Sequence, residues 1–154
     1  MDISVNTIIL AVGPDDQDRV ERLASVALQL AHPNDARVIL THVFGSEEFE
    51  RLTDELNFSN ATAEDIDNLL ARHDTLNRLE TMLAGEGVSC SRKGIVENIS
   101  EGIISVAEEM DADRVIISGR AHSPVGKAVF GSTAQSVLIG ASCPVTYVRS
   151  TASD

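Results

Sequence analysis

Lysine is scarce in this sequence. Lys93 and Lys127 are the only two, beside ten arginines and 24 acidic residues, and the formal net charge is −12. A surface of that sign repels nucleic acid and anionic membranes unless a local basic patch overrides it, so neither is expected as a partner. The acid-rich, lysine-poor balance resembles the surface of proteins from halophiles; an ordinary acidic surface is the plainer alternative. Cysteine is equally sparse. Cys90 and Cys143 stand far apart, with no CxxC and no histidine at ligand spacing, which argues against zinc and redox centres and for two buried thiols. Long hydrophobic runs are missing as well. None approaches the roughly 18 apolar residues of a membrane span, and Met1–Thr7 has no basic stretch of the secretory type, so the sequence predicts a soluble, cytoplasmic protein.

The catalytic signatures are absent too. There is no GxSxG elbow, no GxxxxGK(S/T) phosphate loop, no HExxH helix and no EF-hand loop. Carboxylates such as Glu47, Glu48 and Glu50 cluster where a solvated helical face is expected, so acid/base catalysis has little support. An enzymatic role therefore has little support in the sequence.

What is present is a globular pattern. The chain has 154 residues, 43% of them apolar, which suits one compact unit. An apolar, β-branched run over Ser4–Val12 ends in Gly13-Pro14-Asp15-Asp16, reading as a buried strand and a turn. Val20, Leu23, Val26, Ala27 and Leu30 recur at helical spacing until Pro33-Asn34-Asp35, and Ala36–Phe44 is a second strand. A short acidic helix over Ser46–Leu56 follows, then a polar connection. From Ala63 the apolar positions keep a helical period to Gly85, predicting one long helix with a capping box at Thr62 and Asp65. Val88–Ile95 reads as a weakly alternating strand, Asn98 and Glu101 as a capping box opening a helix to Met110, and Arg114–Ser118 as a buried strand. A loop over Gly119–Phe130, a helix over Thr133–Ala141 and a strand over Val145–Arg149 complete the chain. Such alternation predicts an α/β fold: a parallel sheet with helices on both faces.

In doubly wound sheets, ligands sit beyond the carboxyl ends of the strands where the winding reverses. Here that point falls between the loops after strands one and four. The second loop holds Gly119, Gly126 and Gly131, and Ser132 with Gln135 matches a capping box at the start of the last helix. A phosphate could accept hydrogen bonds there from backbone N–H groups and the Ser132 hydroxyl. Residues 114–153 carry Arg114, Arg120, Lys127 and Arg149 and no acid at all. The plainer reading is that the segment is mostly interior, where acids are excluded anyway.

The strand ends at Val12-Gly13 and Thr41-His42-Val43, the DADRVIISGR and FGSTAQSVL segments and the closing CPVTYV resemble the universal stress protein family over nearly the whole chain. The resemblance implies one domain over residues 1–150 with a tail at 151–154. It implies a Rossmann-like open five-stranded parallel sheet of order 3-2-1-4-5, of the adenine nucleotide alpha hydrolase type. It also implies ATP or a related adenine nucleotide as ligand, with Mg, and a homodimer formed through the last strand at Val145 and Tyr147. Carried onto this sequence, the nucleotide site comprises Val12, Gly13, Val43, Gly119, Arg120, His122, Lys127, Gly131, Ser132 and Thr133. The Gly-x2-Gly-x9-Gly-Ser/Thr loop of ATP-binding members starts at Gly119 and ends at Gly131-Ser132, but His122 replaces the second glycine and the next gap is one residue short. Gly13 stands where an aspartate is often found. The expected function is stress-response regulation or protection by nucleotide binding; the alternative is a homodimeric interaction or protective protein that binds no nucleotide.

Overall fold

The computed structural model describes residues 1, 3–55, 63–120 and 131–150, leaving aside the side chains of Arg120 and Ser150. Five strands, β1 (Thr7–Ala11), β2 (Arg37–Phe44), β3 (Cys90–Val96), β4 (Arg114–Arg120) and β5 (Val145–Ser150), form a sheet of order β3-β2-β1-β4-β5. Every pairing is parallel. The six helices among the described residues are α1 (Val20–Asn34), α2 (Ser46–Glu55), α3 (Ala63–Ala71), α4 (Asp74–Gly85), α5 (Ile99–Glu109) and α6 (Ser132–Gly140). This is the architecture and strand order that the sequence predicts.

Successive residues of a strand face opposite sides of a sheet, so a strand covered on both faces is apolar at most positions. β1 is buried at all five positions. Ile8 and Leu10 belong to the core formed with Val20, Leu23 and Ala27 of α1, Leu69 of α3 and Leu76 and Leu79 of α4. Ile9 and Ala11 face the opposite core, with Ile103 and Val106 of α5 and Ala134 and Val137 of α6. Leu10 lies in register with Leu40 on one side and Ile116 on the other, which fixes which strand ends meet.

The expected long helix over 63–85 is two helices. Leu70 to Leu76 is a six-residue step that breaks the 3.6 period, and His73 leaves the helical region at φ −79°, ψ 108°. His73 Nδ1 accepts from the Leu76 amide at 3.4 Å, capping α4. Arg92 of β3 donates to the Leu70 carbonyl at 2.6 Å, to Asn77 Oδ1 at 2.7 Å and to Glu80 Oε2 at 2.8 Å, so one guanidinium ties the end of α3 to the start of α4. Thr62, the expected cap of α3, lies outside the described residues.

Other boundaries shift by smaller steps. α1 continues through Pro33 and ends at Asp35, whose left-handed backbone (φ 51°, ψ 41°) turns the chain into β2. Asn98 caps α5 by accepting from the Glu101 amide at 3.4 Å. Before α6 the cap is Gly131 rather than Ser132. The first helical bond runs from the Gln135 amide to the Gly131 carbonyl at 3.1 Å, Ser132 is the first helical residue, and no side chain caps the end. Cys90 and Cys143 are free thiols, half-buried rather than fully buried. No helix among the described residues is long and apolar enough to cross a membrane.

Candidate functional site

Because β1 is the central strand and its neighbours β2 and β4 connect in opposite directions, a crevice opens at the strands' carboxyl ends. Its volume is about 630 Å³. The β1 end contributes Val12 and Gly13, β2 contributes Thr41, His42 and Val43, and β4 contributes Ile117, Ser118 and Gly119. Thr133 and Ala134 from the first turn of α6 close one side, Ile99 and Ile103 of α5 form an apolar wall, and Glu47, Glu48 and Arg51 of α2 stand at the mouth.

Of the residues expected in the site, Val12, Gly13, Val43, Gly119 and Thr133 line this crevice. Gly131 and Ser132 are exposed and directly precede the lining residues of α6. As Ser132 is inside the helix, the amides of Ser132, Thr133 and Ala134 have no intrahelical acceptor, and the expected capping box does not form. The backbone of Arg120 ends β4. His122 and Lys127 lie outside the described residues. Val145 and Tyr147 are half-buried and pack on the α5–α6 side of the sheet, and among the described residues β5 is an edge strand paired with β4.

Two clusters in the crevice escape a reading by sequence pattern. The first surrounds Asp16, in a short 3₁₀ turn (Asp16–Asp18) between β1 and α1, whose carboxylate is almost fully buried. Its Oδ2 accepts from the Gly13 amide at 2.6 Å; its Oδ1 accepts from Arg19 Nε at 2.6 Å and from Ser118 Oγ at 2.5 Å. A buried carboxylate is costly unless charge and hydrogen bonds compensate it, and here all three come from residues at the crevice.

The second cluster centres on His42, 2% exposed. Its Nδ1 donates to the Val12 carbonyl at 2.7 Å, a group that can only accept, and its Nε2 faces Glu48 at 3.1 and 3.2 Å. The ring packs edge-on against Phe44 at 4.6 Å and lies 4.8 Å from the ring of His73. Burial alone would raise the pKa of Glu48, but the hydrogen bond and charge of His42, with His73 and Arg51, outweigh it and hold the carboxyl below its ordinary value. For His73 burial is the main cause of a lowered pKa, and His42 adds to it.

The fold and this crevice define a doubly wound α/β protein with a ligand cleft at its switch point. The universal stress protein family model matches residues 5–149, and the chain belongs to that family. It is 32% identical over 108 residues to a universal stress protein of Mycolicibacterium smegmatis, a match covering 68% of this chain and 83% of the relative. Among solved structures it is similar to a universal stress protein from Archaeoglobus fulgidus, with 28% identity, a TM-score of 0.71 and coverage of 94% of this chain and 98% of the other. A universal stress protein from the same organism, in complex with dAMP, is 24% identical with a TM-score of 0.65, covering 96% of this chain and all (100%) of the other.

Proposed function

We propose that this universal stress protein binds an adenine nucleotide in the switch-point crevice and that occupancy modulates its contacts with itself or with partner proteins in the stress response. The observation that carries the reading is the crevice itself. Its volume of about 630 Å³ suits a nucleotide, and it combines an apolar wall at Ile99 and Ile103 with backbone donors at the first turn of α6. That a protein of this fold holds dAMP agrees with it.

Among the described residues no group of three or more metal-binding side chains is placed to hold a metal. A Mg²⁺ ion accompanying the nucleotide is part of this reading, with the phosphate oxygens among its ligands. Among the described residues β5 is an edge strand, and edge pairing with a second copy would make a homodimer. A cytoplasmic location fits a nucleotide-binding regulator.

Titration calorimetry with ATP, AMP and adenosine in concentrated salt tests the proposal. Saturable heat with a matching thermal shift is the expected outcome, and absence of both for every nucleotide would overturn it. The second reading, an interaction or protective protein without nucleotide, gains from the acidic lining: Asp15, Asp16, Glu47 and Glu48 outnumber Arg19 and Arg51 in the crevice.

A further inference from the structure

Arg19 sits where the turn after β1 enters α1, with its side chain only 9% exposed. Its Nε edge is fixed: Asp16 Oδ1 accepts from it at 2.6 Å, and Asp16 is itself held by Ser118 Oγ and the Gly13 amide. The guanidinium is thereby fastened between the ends of β1 and β4, at the point where the winding reverses. Its other edge is different. Among the described residues, no acceptor takes a hydrogen bond from the two terminal nitrogens, which together carry four of the five guanidinium N–H donors. Arg19 lines the crevice, so the crevice is where these donors can meet a ligand.

We propose that Arg19 is the phosphate-docking residue of the crevice, with Asp16 setting its orientation; the inference rests on the nucleotide reading and names the group that would hold the ligand's anionic end. A phosphate presents paired oxygens that match the planar fork, whose terminal nitrogens meet no acceptor among the described residues. Because Asp16 neutralises one unit of charge, the attraction needs a second source. The first turn of α6 supplies it: Thr133 and Ala134 line the same crevice, and their amides, without intrahelical acceptors, add the positive end of the helix dipole. At the mouth Glu47 and Glu48 outnumber Arg51, a balance that favours a ligand orientation with the phosphates toward Arg19 and away from α2.

Binding of ATP, adenosine and inorganic pyrophosphate to the wild type, Arg19→Gln and Arg19→Lys tests the assignment, with thermal unfolding confirming that each variant is folded. Loss of the charged fork should weaken ATP and pyrophosphate by about 10- to 100-fold in Arg19→Gln, while adenosine binding stays unchanged. Arg19→Lys keeps the charge and the ion pair but not the fork, and should fall between the two. If wild type binds ATP and both variants bind it equally well, the role of Arg19 is overturned while the nucleotide reading stands. Equal weakening of ATP and adenosine would also overturn it, since Arg19 would then shape the crevice rather than hold phosphate. If wild type binds pyrophosphate through Arg19 but neither ATP nor adenosine, the nucleotide reading falls and the anion site remains. Wild type binding none of the three overturns both.

Discussion

Asp16 and Ser118, 102 positions apart in the chain, share a hydrogen bond of 2.5 Å that joins the turn after β1 to the end of β4. With Arg19 and the Gly13 amide on the same carboxylate, this contact closes the floor of the crevice. Removing the carboxylate strands a buried guanidinium. Asp16→Ala is therefore expected to cost about 3–5 kcal/mol of stability, with Asp16→Asn costing less because it keeps an acceptor for Ser118. Urea unfolding of the three proteins measures this, and a midpoint for Asp16→Ala equal to the wild type would show that the network contributes nothing.

Gly102 of α5 lets the helix approach Val43, which lines the crevice from β2. A Cβ at position 102 would lie 2.6 Å from Val43 Cγ1 and 2.9 Å from Cγ2. Valine is stiff at χ1, so it cannot swing away and either the helix or the strand end must shift. Gly102→Ala should destabilise by about 1–3 kcal/mol. In a Val43→Ala background the colliding carbons are gone, and the same substitution should cost markedly less. A double-mutant cycle checks this, and strict additivity would mean that the two residues do not collide in solution.

The sheet was legible because parallel strands buried on both faces show mostly apolar runs, as in Ile8–Ala11 and Val38–Leu40. The break between α3 and α4 was not, although the six-residue step from Leu70 to Leu76 carried a faint trace of it. What fixes the break is Arg92, a residue from a later strand, and helical periodicity holds no information about such a partner. The capping box at Ser132 failed for a smaller reason. A glycine in extended conformation precedes it, and the Gly131 carbonyl already accepts the first helical bond.

Within the crevice, the lining positions Val12, Gly13, Val43, Gly119 and Thr133 were reached through the family resemblance. Asp16 and Arg19 were not. Asp15 and Asp16 are adjacent and chemically identical, yet Asp15 is exposed and Asp16 is buried, a distinction set by Ser118 from the far half of the chain. The aspartate missing at position 13 was the one signal that could have prompted a search for a carboxylate nearby. His42 could be assigned to a strand, but that its two nitrogens face Val12 and Glu48 depends on how α2 settles against the sheet.

The two thiols should be slow nucleophiles. Burial, reinforced by Glu80, pushes the Cys90 thiol up to about 11, and burial also raises that of Cys143. The reactive form is the thiolate, and a thiol titrating near 11 is only about one part in a thousand ionised at pH 8. Alkylation of the native protein at that pH should lag far behind the urea-unfolded protein, with Cys90 the slower of the two. Rapid, stoichiometric labelling of native Cys90 would contradict the burial that holds its thiol protonated.

Acid should weaken the fold in two stages. The lowered pKa of His73, caused first by burial and then by the charge of His42, means that the unfolded chain takes up this proton before the folded one does. Stability from His73 is thus complete above its ordinary value of 6.5 and is lost as pH falls from there through the lower folded value. The geometry agrees, because Nδ1 accepts from the Leu76 amide and a proton there would end the α4 cap. Glu48 adds a second loss, starting near its ordinary value of 4.5 and continuing as pH falls through its lower folded pKa. His73→Asn keeps a capping side chain but cannot titrate in this range. Its urea midpoint should stay flatter than that of the wild type between about pH 7 and pH 5, while the loss below about pH 4.5 persists in both. Parallel midpoint curves for the two proteins across the upper window would show that the imidazole at position 73 takes no part in the acid response.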